Sequence, residues 1–121
     1  MSKRRVVITG LGLLSPVGNN VTESWNNIIQ GKSGVKPITS FDISEFETKF
    51  AATVDIAVED FLDKKEVRRT DPFIQYGLIA SKECIEDSSI DLDNTDLSKF
   101  GVSIGSGICG LGTIEENKTK L

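Results

Sequence analysis

The stretch GVSIGSGICGLG, residues Gly101 to Gly112, carries the decision about the fold. Val102 and Ile104 open it with a β-branched alternation. Five of its twelve residues are glycine, and TIEENKTKL after it reads as the opening of a helix. A strand that passes through a glycine loop into a helix is the working unit of α/β proteins. The same loop admits three chemistries: a phosphate cradle, a nucleophile at Cys109, or the wall of a pocket.

The elements on either side agree with that fold class. Asp71 as N-cap and Pro72 at the first helical position predict a helix, FIQYGLIASKECIED, running to about Asp87. Phe73, Gly77, Ala80 and Cys84 fall on one stripe of it, small enough in its middle to admit another backbone, and Gly77 points to a tight packing contact. RRVVITGLG predicts a strand ending at Gly10. Asn20 with Glu23 forms a capping-box pattern ahead of ESWNNIIQ, a short helix held by Trp25, Ile28 and Ile29 with Gly31 as its C′ residue. GKSGVKPITSFDISEFETK shows no sustained period and reads as a long excursion, followed by a strand at FAATVDI. The order β-α-β-α-β-α fits an α/β layer arrangement.

Composition narrows the function classes. The chain has 121 residues, enough for one domain or part of one, with 38% hydrophobic and 26% charged residues. No run reaches the roughly 20 apolar residues of a membrane span, and glycines interrupt the apolar start where a secretory signal would continue. Two cysteines without an export signal suit a reducing cytoplasm. Histidine is absent, which removes the commonest general base and metal ligand. The net charge is −4, yet KKEVRR, Lys64 to Arg69, holds four cations and one anion, whereas Glu83 to Asp96 is acidic. A local basic patch on an acidic protein points to a specific anionic partner and away from bulk nucleic-acid binding.

Gly105, Gly107 and Gly110 match the dinucleotide spacing G-x-G-x-x-G after a strand and before a helix, but the position about twenty residues on, where the fingerprint wants an acidic residue for the ribose, lies past Leu121. Cys109 as nucleophile lacks an imidazole to activate it. Glu115 and Glu116, adjacent on a helix, point about 100° apart and favour the helix N-terminus over a shared substrate.

Taken in order, RRVVITGLGLLSPVG, ESWNNIIQGKSGVKPITSFD, TKFAATV, RRTDPFIQYGLIASKECIEDS and GSGICGLGTIEEN resemble the beginning of the β-ketoacyl-[acyl carrier protein] synthases, closest to the elongating type II enzymes. The resemblance implies the N-terminal part of a thiolase-like layered α-β-α-β-α fold, incomplete in this chain. Residues 1–121 would then form the start of one synthase domain that ends before the nucleophile. It implies an acyltransferase of fatty acid biosynthesis that elongates acyl chains by decarboxylative condensation with malonyl-carrier protein. Such an enzyme is cytoplasmic, homodimeric in its complete form, and independent of metal, cofactor, nucleic acid and membrane.

The family's catalytic cysteine and two histidines match no residue here, so the chain alone is expected to be inactive. Ile108 matches the position that gates the acyl pocket. Lys65, Arg68 and Arg69 match positions that dock the acyl carrier protein, with Lys64 beside them. Where Ser89 and Cys109 stand the family usually has glycine, and Ser89 in a left-handed conformation would cost about 1 kcal/mol. Two other classes compete with this reading: a nucleotide-binding module using Gly105, Gly107 and Gly110, and a non-catalytic carrier-protein interaction domain.

Overall fold

A computed structural model describes residues 3–120. They divide into two units: Leu13–Ile56, and a second made of the residues up to Gly12 together with those from Ala57 onward.

The first unit is built around a polar turn. Ser15 and Gly18 exchange backbone hydrogen bonds at 3.0 and 3.2 Å. Beneath them lies Ser24, fully buried, whose hydroxyl donates to the Gly18 carbonyl at 3.1 Å and lies 2.9 Å from the Ser15 hydroxyl. Gly18 has no alternative here, because a Cβ would stand 2.5 Å from the Ser24 amide nitrogen. Ser24 belongs to helix α1, Val21–Ile29. The cap is the expected one on one side, with the Glu23 N–H donating to Asn20 Oδ1 at 2.8 Å. The return bond is displaced by one residue, since the Glu23 carboxylate accepts from the Asn19 N–H at 2.8 Å. Gly31 closes the helix at φ 68°.

One expectation fails in this unit. Trp25, Ile28 and Ile29 are exposed and do not hold α1. Its anchors are polar: buried Ser24, and Asn27, whose amide donates to the Val17 carbonyl at 2.6 Å. The supposedly irregular excursion also contains a strand, β1 (Val35–Pro37), paired antiparallel with β2 (Phe50–Ala52) in the register Val35↔Ala52, Lys36↔Ala51, Pro37↔Phe50. Three residues ending in proline carry no readable period, and the partner thirteen residues away supplies the pairing. The strand expected over FAATVDI shortens accordingly to Phe50–Ala52.

The second unit centres on a long helix. A 3₁₀ turn at Val58–Asp60 leads to the one-turn helix α2 (Lys64–Val67), then α3 (Pro72–Ser88), a 3₁₀ turn at Leu97–Lys99, and α4 (Leu111–Thr119). Helix α3 starts and stops as its sequence dictates, with proline in the first turn and Ser89 left-handed at φ 53° after its last residue. Its most buried residues, Gln75 at 6% and Ile79 at 5% exposure, lie on the side away from the Phe73, Gly77, Ala80 and Cys84 stripe. The stripe receives two extended segments, Gly10–Gly12 and Phe100–Ser106.

Those segments correct the strand expectations. Neither RRVVITGLG nor GVSIGSG joins a ladder among the described residues. Val6 stands 91% exposed, and Ile8, Val102 and Ile104 are exposed with it. The β-branched runs make the backbone extended, but a strand also needs a paired neighbour, which local sequence does not specify.

Candidate functional site

Four cations lie on α2 and just after it. Lys64 and Lys65 lie within the helix, Arg68 caps it and Arg69 follows, and all four are exposed. No ion pair engages any of them among the described residues. The backbone that carries them is nevertheless held firmly. The amide of buried Gln75 donates to the Val67 carbonyl at 3.0 Å and the Thr70 carbonyl at 2.7 Å, and the Thr70 hydroxyl donates to the Glu66 carbonyl at 2.6 Å. Such a stapled turn presents unpaired charge at a fixed place, which suits recognition of an anionic surface by long-range attraction. The sequence contained no signal for the staple: Gln75 reads as an ordinary helix residue until its carbonyl partners are known.

Along α3 from this patch lies an apolar cleft of about 350 Å³. Phe73, Ile74, Gly77 and Leu78 line one side, and Ile104, Gly105 and Ser106 the other. Gly77 does not make the tight contact expected of it. A Cβ there would have only Ile104 Cγ2 within reach, at 4.0 Å, so the missing side chain leaves room in the cleft. Contact closer than van der Waals distance occurs further along the stripe, where the helix backbone leaves no space for a Cβ on Gly10 or Gly12. On Gly10 it would lie 2.7 Å from the Ser88 nitrogen, and on Gly12 2.8 Å from the Cys84 nitrogen. The segment is also bonded there: the Leu11 N–H donates to the Asp87 carboxylate at 2.9 Å, and the Cys84 thiol donates to the Gly10 carbonyl at 3.4 Å.

The glycine loop runs from the cleft to α4. Cβ atoms on Gly105 and Gly107 would meet nothing within 4 Å, and among the described residues the one glycine with positive φ is Gly31. Left-handed backbone falls instead on Cys109, at φ 69°, whose N–H donates to the Ser106 hydroxyl at 3.2 Å. Ile108 is 69% exposed and stands outside the lining of the cleft, two residues past Ser106. At the N-terminus of α4 the Asp71 carboxylate accepts from the Thr113 hydroxyl and lies where a Cβ on Gly110 would stand. A pyrophosphate would have to occupy this helix end, and a carboxylate already there repels it, so the arrangement does not suit a dinucleotide.

Residues 3–120 match the family model described as the beta-ketoacyl synthase N-terminal domain. The chain belongs to the β-ketoacyl synthase family. It is 49% identical over 118 residues to the 3-oxoacyl-[acyl-carrier-protein] synthase 2 of Coxiella burnetii, covering 97% of this chain and 28% of that protein. It is 45% identical over 122 residues to the enzyme of the same name from Vibrio harveyi, covering 100% of this chain and 29% of the relative. Among solved structures, the ishigamide ketosynthase/chain length factor superposes with a TM-score of 0.69 at 30% identity, over 77% of this chain and 23% of that one. The chain therefore has part of the α/β fold of the ketosynthases and spans under a third of its relatives' length.

Within this family frame, the acidic stretch after α3 has a local role. The Asn94 side chain bonds the Asp91 carboxylate, and the Ser98 hydroxyl bonds that of Asp96, holding both acids below the usual carboxylate range. These are turn-forming bonds. Among the described residues no group of three or more His, Cys, Asp or Glu is placed to hold a metal ion, and no helix is long and apolar enough to cross a membrane. Cys84 is half-buried against Gly10, and Cys109 is exposed.

Proposed function

We propose that this chain is the N-terminal part of an elongating β-ketoacyl-[acyl carrier protein] synthase of fatty acid biosynthesis, a cytoplasmic homodimer in its complete form. The observation that carries the reading is the similarity along residues 3–120 to proteins named 3-oxoacyl-[acyl-carrier-protein] synthase 2. The enzyme takes an acyl group from its carrier onto a cysteine. Loss of CO₂ from malonyl-carrier protein then leaves a carbanion that attacks the acyl carbonyl and expels the cysteine thiolate, lengthening the chain by two carbons.

Those 121 residues contain no histidine, and neither cysteine lies in a nucleophile motif, so they supply binding surfaces and not the reacting groups. Lys65, Arg68 and Arg69, with Lys64 beside them, dock the acidic carrier protein; what supports this is their exposure, the lack of an ion pair to any of them among the described residues, and the Gln75 staple. The cleft below Gly77 is apolar and able to accept a hydrocarbon chain, with Ile108 as the gate on the loop beyond.

The test uses the full-length protein with Lys65→Glu and Arg68→Glu together. Reversal replaces attraction by repulsion at a solvated surface, which acts mainly through the association rate. kcat/KM on acyl-carrier substrates is expected to fall by about 10- to 100-fold, most strongly at low salt, as for a loss of about 1.4 to 2.8 kcal/mol. Activity on small free thioesters stays near that of the unsubstituted enzyme. Equal loss on both substrate forms would overturn the docking role.

A further inference from the structure

Asp71 occupies the N-cap position of α3, yet its side chain makes no cap bond to that helix. Its Oδ1 instead accepts from the hydroxyl of Thr113, the third residue of α4. Helix α4 has Gly110 at its own N-cap and no side chain to cap it. A Cβ on Gly110 would fall into the Asp71 carboxyl group, with Oδ1 at 2.8 Å. The Asp71 carboxylate thus puts a negative charge at the positive end of α4, bonded to the helix through the Thr113 hydroxyl and not through a backbone N–H.

The connection bears on the cleft because of what lies between. Ile104, Gly105 and Ser106 line it, and the chain from there to Gly110 is held locally, by the Cys109 N–H donating to the Ser106 hydroxyl; Cβ atoms on Gly105 and Gly107 would meet nothing within 4 Å, and Cys109 is left-handed. We propose that Asp71, acting through Thr113, is the positioning residue that fixes the 105–110 loop, and with it the width of the cleft and the preference among acyl lengths. The selectivity half of this statement rests on the cleft being an acyl site; the loop half does not.

The experiment compares Thr113→Val, which removes the hydroxyl at nearly constant volume, with Thr113→Ser, which keeps it, both in the full-length protein. One readout is the iodoacetamide alkylation rate of Cys109, followed on its own peptide by mass spectrometry. The other is kcat/KM for long against short acyl-carrier substrates. Thr113→Val is expected to raise Cys109 alkylation about tenfold and shift the length ratio by a similar factor, as for the loss of one charge-assisted bond. Thr113→Ser stays near the unsubstituted protein in both. Asp71→Ala removes the same bond from the other side, and the double variant adds nothing further.

An unchanged Cys109 rate in Thr113→Val, additive effects in the double variant, or equal effects of Ser and Val would each overturn the loop role. A faster Cys109 with an unaltered length profile would overturn the selectivity role alone. Failure of the unsubstituted protein to condense acyl and malonyl substrates would overturn the functional reading, and with it the selectivity half, while the alkylation arm still decides the loop half.

Discussion

Along its C-terminal half α3 meets the Gly10–Gly12 segment backbone to backbone, whereas along its N-terminal half it meets Ile104–Ser106 across a cleft of about 350 Å³. The helix offers small residues to both segments, Ala80 and Cys84 to the first and Gly77 to the second. The difference lies in what approaches. Gly10 and Gly12 bring no side chain, and their segment is bonded in place by Asp87 at the Leu11 N–H and by Cys84 at the Gly10 carbonyl, so the gap closes. Ile104 brings a branched side chain whose Cγ2 would lie 4.0 Å from a Cβ on Gly77, and here the gap stays open. A small-residue stripe therefore gives permission for close approach, and the partner segment decides whether it happens.

Adding one methyl to each half breaks this comparison at its strongest point. Gly12→Ala forces a Cβ into the Ala80 carbonyl and the Cys84 nitrogen, backbone atoms that cannot swing away. The full-length protein should lose about 2 to 3 kcal/mol, an overpacking cost at the upper end of the usual range, measured as a lowered urea midpoint at constant slope. Retention of the parental midpoint would mean that the segment does not sit against the helix.

The opposite sign is expected in the open half. Gly77→Ala places its methyl at van der Waals distance from Ile104 and restores helix propensity, for a gain of about 1 kcal/mol. Because the methyl also enters the cleft, KM for the longest acyl substrates should rise while stability improves. A loss of stability equal to that of Gly12→Ala would show both halves to be closed, and the cleft reading would fall.

The smallest expected effect sits where α3 ends. Ser89 is left-handed at φ 53°, a conformation glycine adopts without cost. Ser89→Gly should stabilise by about 0.5 to 1 kcal/mol, part of the gain being offset by the freer unfolded chain. Thermal midpoints of the two proteins, run side by side, decide it, and a lower midpoint for the glycine variant would place Ser89 outside the left-handed region.

Local sequence determined the parts of this protein whose causes are local. Asn20 with Glu23, Gly31, Pro72 and Ser89 mark the limits of α1 and α3 because caps and left-handed residues act within one turn of themselves. The five ordered blocks pointed to the family for a related reason: they preserve residue type and spacing, which a linear reading can compare. Tertiary structure decided everything that needs a second segment. β1 became a strand because Phe50–Ala52 lies beside it, while Val6–Ile8 and Val102–Ile104, far better β sequences, have no ladder partner among the described residues. Gly77 on the stripe predicts tight packing, but the tightness along this stripe is at Gly10 and Gly12, because the distance to a backbone far away in sequence is not encoded in the glycine. Asp71 looked like the cap of its own helix; folding brought α4 within reach, and the carboxylate took the Thr113 hydroxyl instead. A hydrogen-bond acceptor can be read from sequence, but which donor it meets is settled by the fold.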